Sequence, residues 1–213
     1  MPISVSGSQI TFNDSSVQNT SAFVGGFAMR NRIINGAMMI DQRNAGASVT
    51  PTATVYGLDR WRMSAPAASK YSFQQNAGSV APPAGFTNYL GITSLSAYSI
   101  TATDAFLAFQ LIEGFNVADL AWGTANAATI TLSFWVRSSL TGTFGGALGN
   151  VNATRSYPFT YTISSANTWE YKTITIAGDT TGTWNTTNSV GLALYLGFGV
   201  GSTYSGTAGA WVG

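Results

Sequence analysis

From Ile130 to Arg137 apolar and polar residues alternate without a break, and this stretch restricts the fold more than any other. Ile130, Leu132, Phe134 and Val136 fall on one side, and Thr131, Ser133, Trp135 and Arg137 on the other. Successive side chains of an extended chain leave opposite faces of the pleat, so a period of two marks a strand with one buried face. Tyr157, Phe159, Tyr161 and Ile163 form a second inward stripe. Val190, Leu192, Leu194, Leu196, Phe198 and Val200 form a third, opposite Ala193 and Tyr195. Phe106–Ile112 is apolar on both sides, as the central strand of a layered fold would be. Tyr71–Gln75 and Ile92–Ile100 read as further strands, whereas Trp169–Ile176 changes face near Thr173, which predicts a bulge.

Turn clusters at Leu140-Thr141-Gly142-Thr143 and Gly178-Asp179-Thr180-Thr181-Gly182 separate these strands, and Val117–Trp122 alone hints at a helical turn. Strands at this spacing predict an all-β chain: an antiparallel two-sheet sandwich of jelly-roll type over residues 31–213. No repeat of solenoid or propeller length is visible. Residues 1–30 differ. Ile3 and Val5, then Ile10 and Phe12, alternate with polar residues around an Asn13-Asp14-Ser15-Ser16 turn, and Gly25-Gly26 follows as a joint. So little apolar content cannot fold alone. The segment is expected to be a short extended anchoring or oligomerisation piece that packs on the main domain, on another copy or on a docking partner.

The composition removes whole classes of chemistry. There is no histidine and no cysteine, so a Ser-His-Asp arrangement, an imidazole zinc site and a thiolate site are excluded. The net charge is +1 with only two lysines, which speaks against a phosphate-tracking nucleic-acid surface. No apolar stretch approaches the roughly 20 residues of a membrane-spanning helix, so no membrane insertion is expected. Met1-Pro2-Ile3-Ser4-Val5 lacks the basic and apolar regions of a signal peptide. The eight carboxylates are scattered without an acid/base pair or an EF-hand spacing, so no catalytic residue, metal or cofactor is assigned.

Charge is concentrated in one place. Residues 30–62 hold five of the seven arginines and two of the six aspartates, in a chain with 8% charged residues. Asp41, Arg43, Asp59, Arg60 and Arg62 are expected to form a structural ionic cluster in which arginines pair with Asp41 or Asp59 and pin the N-terminal strand to the sandwich. The alternative is that these arginines receive an acidic glycan or a neighbouring subunit. Trp135, Arg137 and Tyr195 are the candidate ligand-binding residues, because flat aromatics flanked by hydroxyls and a guanidinium suit a sugar ring. The competing reading buries Trp135 and Tyr195 under a loop or in a subunit contact. Trp122, Trp184 and Trp211 lie near turns, where exposure is possible.

Four segments resemble the fibre proteins of bacteriophages. They are Arg32-Ile33-Ile34-Asn35-Gly36-Ala37-Met38 with Gln42-Arg43 and Asp59-Arg60-Trp61; Ala128–Arg137; Asn167–Ile176 with Gly178–Trp184; and Gly7–Thr20, where Ser15 replaces a usual glycine. The Ala128–Arg137 strand is also similar to carbohydrate-binding-module jelly rolls. The resemblance implies a virion structural protein, a tail or head fibre made in the host cytoplasm and carried on the particle exterior. It would bind other virion proteins through its N-terminal segment, form a homotrimer and recognise a host-surface glycan. It also implies a further strand after Trp211-Val212-Gly213, so the chain is either a shortened member or, as expected here, part of a longer one. A capsid- or tail-assembly protein without a ligand is the second expectation, and a polysaccharide-degrading enzyme or its binding module the third.

Overall fold

The computed structural model describes residues 31–151 and 154–213, together with three short strands in the preceding segment. The chain divides into two compact units, Met1–Arg32 and Ile33–Gly213. In the first, β1 (Ser4–Ser6), β2 (Gln9–Thr11) and β3 (Val17–Gln18) pair antiparallel in chain order. The anchoring role expected of residues 1–30 otherwise lies outside the described residues.

The regular structure of the second unit consists almost wholly of antiparallel strands. They are β4 (Val55–Tyr56), β5 (Trp61–Ser64), β6 (Tyr71–Gln75), β7 (Leu90–Ser94) and β8 (Ala105–Glu113), then β9 (Ile130–Val136), β10 (Gly142–Gly149), β11 (Ser156–Ile163), β12 (Glu170–Ile176) and β13 (Val190–Val200). A six-stranded sheet runs in the order β11-β10-β13-β8-β5-β4, and β12-β9 and β6-β7 form two further pairs. Helical structure is confined to single 3-10 turns, one of them at Ala118–Leu120 within the stretch that hinted at a helix.

One face of the large sheet carries two cores side by side. Trp61, Ile112, Leu148, Phe159, Leu192 and Leu194 form the first, and β9 and β12 cover it with Ile130, Leu132, Ile174 and Ile176. Met63, Phe106 and Ala108 form the second, covered by Tyr71, Phe73 and Leu90 from β6 and β7. β8 feeds both, and with β13 it occupies the middle of the sheet, which explains why Phe106–Ile112 is apolar on both sides.

Strand pairs nest, β8 with β13, β9 with β12 and β10 with β11, and successive pairs alternate between the large sheet and the facing layer. The all-β antiparallel architecture agrees with the sequence. The facing layer, however, is two separate two-stranded pieces and not one continuous sheet. Gln110 stands between the cores on the shared face of β8 and binds the backbone of Ile34, so the segment around Ile33–Met38 fills the position between the two pieces.

The expected bulge in Trp169–Ile176 is absent. β12 pairs with β9 in unbroken register from Glu170↔Val136 to Ile176↔Ile130. The face does not change because Glu170 and Lys172 share the inward side with Ile174 and Ile176 and neutralise each other there as an ion pair. The irregularities fall in β13 instead, between Val190 and Leu192 and between Gly197 and Gly199. The second lies at Phe198, whose ring packs 4.9 Å from that of Tyr71.

Candidate functional site

Register between β9 and β12 pairs Trp135 with Tyr171, Ser133 with Thr173 and Thr131 with Thr175, all on the side away from the core. Two rows of hydroxyls therefore lead along the strands to an exposed aromatic pair. The Trp135 and Tyr171 ring centroids lie 5.3 Å apart, and the residues are 38% and 56% exposed. Exposed aromatics of this size leave apolar area in water that a ligand can cover.

Arg137 follows at the end of β9, and its Nε–H donates to the Asn167 carbonyl at 3.0 Å. That bond ties the guanidinium to the loop at the end of the β9–β12 pair. The Ser164 and Ser165 amides both donate to Glu170 Oε1 at 2.8 Å, so the loop that offers Asn167 is itself tied to β12. The hydrogen bond from Lys172 holds the Glu170 carboxyl below the usual carboxylate range, and those from Ser165 and Ser164 add to this against a smaller desolvation effect.

Tyr195 does not join this group. It lies on the outer face of the large sheet, opposite Phe109 in register, with the two rings 5.7 Å apart. β9 and β13 face each other across the first core, so the non-core side of each looks out from the opposite side of the sandwich. Trp135 and Arg137 are therefore brought together, and Tyr195 is removed from them by the thickness of the fold. Tyr171 takes its place. The expected bulge concealed Tyr171, whereas unbroken alternation from Glu170 to Ile176 would have found it.

Among the described residues the expected ion pairs are absent: none joins Arg43, Arg60 or Arg62 to Asp41 or Asp59, and most of the partners of these five residues are neutral groups. Asp41 accepts hydrogen bonds from the Asn44 side chain at 3.2 Å and the Gly46 amide at 2.8 Å, closing its own turn. Asp59 Oδ2 accepts from the Gln42 amide at 2.7 Å. Arg60 pairs with Glu113 at 2.7 Å and donates to the Leu111 carbonyl, and its backbone stands at φ 73, outside strand geometry. The guanidiniums of Arg43 and Arg62 lie 4.9 and 5.3 Å from the Tyr56 ring centroid, and Arg62 also lies 5.1 Å from that of Phe109. Aromatic faces, which attract cations, take the place of carboxylates here.

A further, bidentate ion pair lies elsewhere, with its carboxylate almost wholly covered. Arg155 binds Asp179 through two nitrogens, Nε to Oδ2 at 2.7 Å and Nη2 to Oδ1 at 2.9 Å. Asp179 also accepts from the Thr181 amide and hydroxyl. Burial pushes its carboxyl up, but the Arg155 and Thr181 hydrogen bonds outweigh this and hold it below the usual range. A side chain at Gly182 would strike the Arg155 Cγ, which accounts for glycine in the Gly178–Trp184 segment.

Trp122, Trp184 and Trp211 meet edge to face next to this pair, with centroids 4.8, 5.2 and 5.4 Å apart. Each indole N–H donates to a carbonyl, of Ala128, Thr181 and Ala177 respectively. Their place near turns reflects a structural cluster, with Trp122 buried.

Among the described residues no three His, Cys, Asp or Glu side chains converge, and no helix is long and apolar enough to cross a membrane. Comparison with models of known families and with curated proteins finds no match to this chain.

Proposed function

We propose that this protein is a virion fibre component that attaches through its N-terminal segment and presents the β9–β12 face to glycans of the host surface. The exposed Trp135–Tyr171 pair, at the end of two hydroxyl rows and on the same face of β9 as Arg137, is the observation that carries the reading. Sugar rings offer a CH face for stacking and hydroxyls for hydrogen bonding, and this face supplies partners for both. A flat open face holds one sugar weakly. Several copies on one particle multiply that affinity through effective concentration. The similarity of four sequence segments to phage fibre proteins supports the virion context.

An array of bacterial surface oligosaccharides tests the proposal. The intact protein should bind at least one class, and Trp135→Ala and Tyr171→Ala should each weaken binding at least tenfold with the melting temperature retained. Failure of the intact protein to bind, or binding that survives both substitutions, would favour an assembly protein without a ligand. Release of reducing sugar would replace both readings with an enzyme.

A further inference from the structure

Among the described residues β7 is hydrogen-bonded along one side only, to β6. On its far side β6 meets Val49: the Phe73 and Val49 main chains exchange two bonds of 2.9 Å each. Phe73 therefore turns its N–H and C=O away from β7. In an antiparallel ladder the residue opposite such a position turns its own groups away as well. That residue is Ile92. By the same alternation Leu90 and Ser94 also point their main-chain groups outward. The bonds Asn76 N–H to Tyr89 C=O and Leu95 N–H to Lys70 C=O, both 2.9 Å, confirm the phase from either end.

The exposed edge is also apolar on its core side. Ile92 lies opposite Phe73 and on the same face, yet Phe73 is 1% exposed and Ile92 38%. The difference arises because no described strand lies beyond β7 to continue the layer. Leu95, Tyr98 and Ile100 extend the exposed apolar run. Open edges are usually guarded by charges, proline, bulges or brevity. β4 has only two residues and β11 carries Pro158, but β7 is regular and proline-free, and no charged residue occurs from Tyr71 to Thr103.

We propose that β7 is a pairing edge for β7 of a second copy of this chain, related by a two-fold axis through Ile92. The outward groups sit symmetrically at positions 90, 92 and 94, so two antiparallel copies bond Leu90 to Ser94, Ile92 to Ile92 and Ser94 to Leu90. The two-stranded pieces of both copies then form one four-stranded sheet, and each Ile92 covers the other. A neutral partner strand is required, because a charged one would lose its hydration with no counter-ion within this segment. The like strand satisfies this requirement and matches the register. Glycan binding by the β9–β12 face is a separate matter, and neither proposal depends on the other.

Single cysteines test the pairing cleanly, since the chain has none of its own. Directly opposed residues of a hydrogen-bonded antiparallel pair have Cα atoms about 5.5 Å apart, within disulfide reach. Ile92→Cys should give a covalent dimer under mild oxidation. Ser94→Cys should not, because four residues of strand would separate the two copies by about 14 Å. By sedimentation equilibrium the native protein should have the mass of two chains, and Ile92→Lys should weaken association at least tenfold while leaving the melting temperature of the chain in place. Equal cross-linking at both positions, no cross-linking at either, a monomeric native protein, or a three-chain species that Ile92→Lys leaves intact would overturn the proposal.

Discussion

Gln110 and Ile34 are joined by a reciprocal pair of hydrogen bonds: the Ile34 N–H donates to Gln110 Oε1 and Gln110 Nε2 donates to the Ile34 carbonyl, both at 2.8 Å. Gln110 is completely buried, and its amide does for this segment what a neighbouring strand would do. Asn35 continues the clasp. Its side chain donates to the Ile40 and Asp59 carbonyls and accepts from the Ile40 amide, while the Trp61 indole donates to its carbonyl. Asn35 stands at φ 54, a left-handed conformation that asparagine tolerates better than most residues.

Gln110→Leu keeps the bulk of the side chain and strands two main-chain groups. At the usual cost of unsatisfied buried groups, the loss should be about 3 kcal/mol in denaturant unfolding. A loss below about 1 kcal/mol would show that the clasp is not a principal tether.

The Arg155–Asp179 pair should dominate the ionic contribution to stability. Arg155→Leu leaves a buried carboxylate uncompensated and should cost about 3 kcal/mol near neutral pH. The Asp179 carboxyl is depressed in the folded state, so its contribution is complete above the ordinary aspartate value near 3.9 and falls away as pH drops through the lower folded value. The stability difference between native protein and Asp179→Asn should therefore shrink on acidification below about pH 4. A difference that stays constant from pH 7 to pH 2 would contradict this assignment.

Arg60 should matter little. Its side chain and that of Glu113 are each about one-third exposed, and such pairs contribute at most about 1 kcal/mol. Arg60→Ala should fall within that limit. Arg60→Gly should be at least as stable as Arg60→Ala, since glycine adopts the positive φ without strain. A loss of several kcal/mol in Arg60→Ala would restore the expectation that Arg60 belongs to an ionic cluster on which the fold depends.

Tyr71, which is buried, and Tyr161, which is partly buried, are expected to contribute to the alkaline limit of stability. Desolvation pushes the Tyr161 phenol up to about 12, beside Phe134 and Phe144, and it raises Tyr71 further. A raised folded value means that stability is complete below the unfolded value near 10 and is lost as pH rises toward the folded one. Tyr161→Phe should flatten the decline in stability between about pH 10 and pH 12. An unchanged decline would place the alkaline transition elsewhere.

The period-two pattern by itself determined the all-β class and the inward stripes of β9 and β11, because alternation along a half-buried strand is a local property of the chain. The apolar run Phe106–Ile112, which does not alternate, marked β8 as central. The glycine, aspartate and threonine turn at Gly178–Trp184 was also legible as a turn. Its ion pair was not, since Arg155 and Asp179 are 24 residues apart and meet only through folding. The same limit governs the candidate site. Sequence can state that Trp135 and Tyr195 each leave the core side of a strand, but not that the two strands belong to opposite layers. Tertiary structure alone separated Tyr195 from Trp135 and set Tyr171 beside it, because register between distant strands decides which outward side chains become neighbours.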